Sequence, residues 1–125
     1  MKYLMWMSVL AFVAPFDVLA ASSKKCDDLA AQAEKTKVRI PTYSSGRKVV
    51  GRDRALFYRA PTESCPMKGV FVVPNDEVQA YADVVKFTQV VYWDANGNDV
   101  SGWMLTSRLV ETGSGIGPRY EKAGH

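Results

Sequence analysis

Short apolar segments separated by turn residues dominate the chain from residue 55 onwards. These segments are rich in aromatic and β-branched residues, which favour strands, and Asn96-Gly97 is typical of a tight hairpin turn. The pattern predicts strands over residues 55–58, 70–73, 77–81, 87–93 and 100–104. A set of about five or six such strands with little helix predicts a small all-β barrel or sandwich.

The chain opens on an apolar run that is predicted to be removed. Lys2 precedes the run, Pro15 interrupts it, and residues 18–20 supply the small residues that a signal peptidase reads. We therefore expect residues 1–20 to be an export signal cleaved after Ala20, which makes the mature protein periplasmic or secreted. A retained membrane anchor is the less favoured alternative, because the run is short for a bilayer.

The segments on either side of the predicted barrel are expected to be less regular. Residues 21–49 form an N-terminal arm, in which Asp27 and Asp28 can cap a short helix over residues 29–35. The barrel follows over residues 50–110. Residues 111–125 are rich in glycine and predict a flexible tail, with a protruding loop as the alternative.

Cys26 and Cys65 are the two cysteines of the chain. In an exported protein they are most simply joined in one disulfide. Such a bond fixes the start of the arm beside the loop around residue 65. Closing a loop of about 40 residues stabilises a protein by about 3 to 4 kcal/mol through the entropy of the unfolded chain.

Composition and charge narrow the choice of partner. The formal net charge is +3, and it stays +3 after cleavage because residues 1–20 carry one positive charge, Lys2, and one negative charge, Asp17. Acidic and basic residues are interspersed along the chain. This small positive net charge favours a soluble protein with a loosely anionic partner and disfavours nucleic acid as a ligand.

The order of motifs over residues 50–110 resembles that of bacterial SH3 (SH3b) domains. The matching segments are Ala-Leu-Phe-Tyr at 55–58, Val-Val-Pro at 72–74, Phe87 where a Trp usually begins a strand, Gly102-Trp103, and Ser-Arg-Leu at 107–109. The resemblance implies a partly open SH3-like barrel in an exported binding protein. Leu105 and Arg108 stand where related domains carry the proline and tyrosine that grip proline-rich peptides, so this ligand class is disfavoured.

Side chains suited to catalysis are scarce in this sequence. The one histidine is His125, the last residue, and both cysteines are assigned to the disulfide. Acidic pairs such as Asp76-Glu77 are adjacent, so within a strand they would point to opposite faces. We therefore expect a protein that is not an enzyme, with no cofactor and no metal site.

Aromatic residues are the better candidates for function. With Val90 facing the core, strand alternation places Phe87, Val91 and Trp93 on the outer face, where a bare apolar patch indicates contact with a partner. Alternatively, the N-terminal arm covers this face. The predicted binding residues are Tyr58, Tyr81, Phe87, Trp93, Trp103, Arg59 and Arg108.

Two functions follow from these predictions. The first is a non-catalytic periplasmic binding protein that contacts an envelope protein or a peptidoglycan peptide. The second is an inhibitor or immunity protein that blocks a toxin or a cell-wall hydrolase, with its affinity supplied by a few aromatic and arginine side chains. Neither function requires a membrane anchor after cleavage.

Overall fold

A computed structural model describes residues 16–116, and for residues 16–22 it describes the backbone alone. It contains one helix and eight strands, with two short 3-10 turns: α1 (Phe16–Thr36), β1 (Val38–Arg39), β2 (Gly46–Val49), β3 (Ala55–Tyr58), β4 (Pro66–Val72), β5 (Glu77–Val84), β6 (Phe87–Trp93), β7 (Asp99–Leu105) and β8 (Leu109–Glu111). The predicted all-β class is confirmed. Most of the predicted export signal and the tail from residue 117 lie outside the described residues.

All strands belong to one antiparallel sheet that curls into a half-barrel. Its order is β4-β3-β7-β6-β5-β2-β8, and β1 pairs with the far half of β5. Tight turns join β5, β6 and β7, and the second turn contains Gly97 at φ +81°. That left-handed conformation explains the predicted Asn96-Gly97 hairpin. Within residues 16–116, no helix is both long and apolar enough to cross a bilayer.

The predicted strands are present, and three of them are longer than predicted: β4, β5 and, by one residue at each end, β7. β3 and β6 begin and end at the predicted residues. β4 begins at Pro66, ahead of the predicted 70–73, and β5 continues past Tyr81 to Val84. The register of β5 against β6 shifts between Ala80 and Ala82, so a β-bulge at Tyr81 interrupts the alternation that the prediction relied on.

The sheet extends beyond residues 50–110 at both ends. β2 lies between β5 and β8, and β1 adds a short piece beside it. The amide of Gly46 donates a hydrogen bond to the carbonyl of Ser114 at 2.8 Å, and the amide of Ile116 donates to Thr42 at 2.9 Å. These bonds hold the end of the arm and the start of the predicted tail against each other.

The concave face of the sheet encloses the hydrophobic core. Phe57 and Met104 are its largest fully buried side chains, and Val90 is 0% exposed, as predicted. The core cluster consists of Val49, Ala55, Phe57, Val72, Val78, Ala80, Val90 and Met104. Residues from five predicted strands therefore share one core.

Helix α1 is longer than the predicted helix over residues 29–35. It begins at Phe16, so Asp27 and Asp28 lie inside it rather than capping it. The prediction treated the two acidic residues as a helix start, but an exposed helix accepts them in its interior at small cost. The helix carries the first cysteine to the outer face of the sheet, where it becomes one wall of the candidate site.

Candidate binding groove

An aromatic cluster lies beneath α1 on the outer face of the sheet. Tyr58, Phe87 and Trp103 are 8%, 6% and 3% exposed and pack with Ala33 of the helix. Ala33 has a small side chain, which lets the helix backbone approach the rings closely. While α1 stays docked, these three predicted binding residues have little surface left for a partner.

The outer face of β6 is therefore not bare. Phe87 and Val91 are buried, and Trp93 is 47% exposed. The alternation correctly groups Phe87 with Val91 and Trp93, but the expected apolar patch is reduced to Trp93 at the end of the strand. For Phe87 the alternative is confirmed, because the N-terminal arm covers it.

A disulfide fastens α1 to the sheet. Cys26 is bonded to Cys65, with Cα atoms 5.8 Å apart, so the predicted pairing is confirmed. Close to it, Arg59 Nη2 donates to the Ser23 carbonyl at 3.3 Å and lies 3.4 Å from Asp27 Oδ1. Nearly half of the Arg59 side chain is exposed, so this ion pair adds little to stability.

The other end of α1 is held by polar contacts with Gln89 of β6. Lys37 Nζ donates to Gln89 Oε1 at 3.1 Å, and Gln89 Nε2 donates to Glu34 Oε1 at 3.1 Å. The Lys37 ammonium also pairs directly with the Glu34 carboxylate. This hydrogen bond lowers the pKa of Glu34 and outweighs the partial burial that raises it. The helix is thus secured at two points, Cys26 and Glu34, about two turns apart.

Three neighbouring depressions follow one flank of α1. We call them together the α1 groove. The helix side is formed by Ser23, Ala30, Glu34 and Lys37, whose spacing of seven, four and three residues places them on one helical stripe. Arg59 lines the first and second depressions and Gln89 the second and third, so each links two neighbours.

The three depressions differ in character. The first has a volume of about 430 Å³ and is lined by Arg59 and Lys68 with serine hydroxyls. The central one, about 410 Å³, has Met67 and Trp103 on the sheet side. The third, about 250 Å³, is lined by Arg39 and Tyr81 among others. Cationic side chains line both ends of the groove, and its middle combines the Met67 side chain with the polar groups of Glu34, Arg59 and Gln89.

Two of the seven predicted binding residues, Arg59 and Tyr81, line this groove with exposed side chains, and Trp103 lines it while only 3% exposed. Tyr81 is 41% exposed. Its partial burial raises the pKa of its hydroxyl, and the nearby Asp99 carboxylate raises that pKa further. Tyr58 and Phe87 lie under the helix and outside the groove lining. Trp93 lies outside it too, at the end of β6.

Arg108 lies outside the α1 groove and bonds to a turn of the backbone. Its Nε donates to the Val50 carbonyl at 2.7 Å and its Nη1 to Arg54 at 3.1 Å, and Nη2 donates to Asp53. The guanidinium thereby holds the turn before β3. Gly51 in this turn has φ +108°, and a Cβ added there would lie 2.6 Å from Arg108 Nε.

Sequence reasoning missed Gln89, Lys68 and Met67 as groove residues. The spacing of the residues from Ser23 to Lys37 can be read in the sequence, but it forms a helical stripe only if the helix is predicted at its full length. No local pattern marks Gln89, because its role depends on the helix that docks above it. Lys68 and Met67 lie on the part of β4 that was not predicted.

The groove offers hydrogen-bonding, charged and apolar groups. Throughout residues 23–116, each buried side-chain nitrogen and oxygen atom has a hydrogen-bond partner. In that same part of the chain, no three histidine, cysteine or carboxylate side chains are grouped closely enough to hold a metal ion.

A second surface lies on the hairpin of β3 and β4, at one edge of the sheet. Leu56, Phe71 and Val73 are each about 40% exposed, and Leu56 and Phe71 are register partners. The Arg54 guanidinium lies over the Phe71 ring, 4.4 Å from its centroid. Arginine and aromatic side chains with exposed apolar neighbours are typical of surfaces that bind protein partners.

Comparisons with protein-family models, with curated proteins and with solved structures give no match to this chain. Its function is therefore argued from its own residues.

Proposed function

We propose that this protein is an exported, non-catalytic binding domain of SH3-like type, and that its ligand lies in the α1 groove. The observation that carries the proposal is the groove itself: a helix clamped to a sheet at two points, with apolar, amide and charged side chains side by side along one flank. Ligand sites combine these properties, because apolar contact supplies affinity and a few polar groups fix orientation.

The SH3-like assignment is supported by the order of the strands. β3 to β7 follow one another as the resemblance implies, and the 3-10 turn Thr106–Arg108 precedes the short β8. Helix α1 packs on Tyr58 and Phe87 through Ala33, so we place the ligand beside the helix rather than on those rings.

Export is supported by the disulfide, which is typical of oxidising compartments. Cleavage after Ala20 would also leave the groove complete, since the first residue that lines it is Ser23. The mature protein would then begin inside α1, two residues before the groove. In the periplasm or outside the cell, the available partners are envelope proteins and the peptides of peptidoglycan.

The proposal is tested with a chain that begins at Ala21. Purified peptidoglycan and, separately, a detergent extract of the envelope are offered to it, and bound material is measured by co-sedimentation and affinity capture. We expect one of the two to be retained. Retention of neither overturns the proposal.

A pair of variants locates the binding site. Ala31 is exposed on the groove side of α1, and Gln32 is exposed on the opposite flank. Ala31→Trp should fill the central depression and abolish retention, whereas Gln32→Trp adds the same ring outside the groove and should leave retention unchanged. Equal loss in both variants would place the ligand elsewhere.

The alternative function, inhibition of a toxin or a cell-wall hydrolase, is favoured by the β3–β4 surface. A protein partner that binds Phe71 and Arg54 would co-purify in near-stoichiometric amounts. The variant Phe71→Ser would no longer capture this partner. Val85, which is 85% exposed on another turn, supplies the control Val85→Ser. Capture that depends on Phe71 and not on Ala31 would support this alternative over the groove.

A further inference from the structure

The first depression of the α1 groove concentrates hydrogen-bond donors. Arg59 and Lys68 line it together with Ser23 and Ser64, around an open volume of about 430 Å³. The backbone amide of Arg59 donates to the Cys65 carbonyl at 2.8 Å. That bond fixes the base of the Arg59 side chain next to the disulfide, so the guanidinium is positioned at the junction with the central depression.

Among the side chains that the structure describes, residues 23–116, Arg59 retains donors without an acceptor. Within residues 23–116 its side-chain hydrogen bonds involve Nη2 alone, and the longest of them, to Ser23 Oγ and Asp27 Oδ1, measure 3.4 Å. Its Nε and Nη1 groups have no acceptor in that part of the chain. A guanidinium with an open edge matches the two oxygens of a carboxylate in a bidentate pair.

The charge of the depression suits a ligand with a single negative charge. Arg59 and Lys68 in the lining contribute two positive charges, and Asp27, which lies outside the lining and is 76% exposed, pairs with Arg59 and offsets one of them. The difference is one positive charge. A dianion such as phosphate would exceed it and would also lie close to the Asp27 carboxylate.

We propose that this end of the groove binds a peptide carboxylate, with Arg59 as the bidentate partner and Lys68 as the second positive charge. The side chain next to the carboxylate then lies in the central depression against Met67 and Ala30. This site rests on the proposed function and specifies the class of its ligand. The carboxylate comes either from a peptide C-terminus or from an acidic side chain.

Binding is measured by calorimetry and by amide chemical shifts on the chain that begins at Ala21. The probes are an acetylated alanine tripeptide with a free C-terminus, the same peptide as its C-terminal amide, and an acetylated Ala-Glu-Ala amide. We expect a carboxylate-bearing probe to bind about tenfold tighter than the alanine amide. Which probe binds tighter distinguishes a terminal from a side-chain carboxylate, and equal binding of all three overturns the proposal. Displacement by equimolar inorganic phosphate also overturns it, because the site would then be a general anion site.

Variants separate a carboxylate site from a helix clamp. Lys68 is exposed, so Lys68→Ala should fold normally and weaken carboxylate binding by about three- to tenfold. Asp27→Asn removes the competing carboxylate and should tighten binding. Lys48→Ala removes an exposed lysine from β2 as the matched control and should change nothing. If Asp27→Asn weakens binding, or Lys68→Ala behaves like the control, the proposal fails.

The same measurements keep this failure apart from failure of the proposed function. If Ala31→Trp abolishes retention of an envelope ligand but the protein binds carboxylate and amide probes equally, the carboxylate site is refuted and the proposed binding function stands. Arg59→Lys adds a further check, since it keeps the charge but loses the planar fork and should weaken carboxylate binding by about tenfold. Unchanged binding in Arg59→Lys contradicts the bidentate pair.

Discussion

The ring of Tyr58 meets the ring of Phe87 edge to face, with centroids 5.5 Å apart and planes at 84°. Tyr58 belongs to β3 and Phe87 to β6, and β7 lies between these strands in the sheet. The contact therefore spans β7 beneath α1, where Trp103 and Ala33 complete the cluster. Stability of this junction governs whether the helix, and with it the α1 groove, stays in place.

Removing the disulfide should destabilise the protein substantially. Cys26 and Cys65 are separated by 39 residues, and opening such a loop costs about 3 to 4 kcal/mol in the free energy of unfolding. Denaturant titration of the double variant Cys26→Ser, Cys65→Ser, followed by tryptophan fluorescence, measures the loss. Reduced wild type should unfold at the same denaturant concentration as the double variant, and an unchanged midpoint would contradict a stabilising disulfide.

Placing a charge at Ala33 should undock the helix. Ala33 is 3% exposed against three aromatic rings, so Ala33→Asp buries an unpaired carboxylate and should lower the free energy of unfolding by about 3 kcal/mol. Ala31→Asp makes the same change at an exposed position of α1 and should cost about 0.5 kcal/mol or less. The two variants are compared by denaturant unfolding and by acrylamide quenching of tryptophan. Similar losses in both would argue against the cluster as the anchor of α1.

Two glycines with positive φ should respond differently to alanine. Gly51 and Gly97 have φ of +108° and +81°, but an added Cβ meets Arg108 at Gly51 and nothing within 4 Å at Gly97. We expect Gly97→Ala to cost about 1 kcal/mol from backbone strain and Gly51→Ala about 2 kcal/mol or more, because the turn held by Arg108 must also shift. Thermal unfolding measures both. A Gly51→Ala variant as stable as Gly97→Ala would contradict the crowding.

Alkaline pH should weaken the aromatic cluster through Tyr58. Burial, assisted by the nearby Glu63 carboxylate, raises the pKa of the Tyr58 hydroxyl, so the folded state favours its neutral form. This contribution is complete below the unfolded pKa of about 10 and is lost as pH rises through the higher folded value. The free energy of unfolding should therefore fall more steeply above about pH 10 in wild type than in Tyr58→Phe.

Tyr58→Phe keeps the ring in the cluster, so its stability near neutral pH should stay close to that of wild type. Tyr81→Phe provides the comparison, since Tyr81 also has a raised pKa but is 41% exposed. The difference in alkaline slope should be larger for Tyr58 than for Tyr81. Equal slopes in wild type and Tyr58→Phe would contradict the direction of the shift.

The amino-acid pattern predicted the strands well where alternation was regular. Residues 87–93 and the Asn96-Gly97 turn were located correctly, because a half-buried strand and a left-handed turn leave local signals in composition. β4 and β5 were predicted too short. The bulge at Tyr81 breaks the period of two, and no local signal indicated that β4 begins at Pro66.

The sequence by itself determined the all-β class, the pairing of Cys26 with Cys65, and which residues of β6 share a face. Only the tertiary structure decided what covers that face, that Arg108 turns inward to hold a turn, and that Gln89 joins Arg59 along a groove. The physical reason is that alternation and turn chemistry depend on neighbours in the chain. Burial and side-chain partners depend on segments that come together only on folding, as α1 does above a strand some fifty residues away.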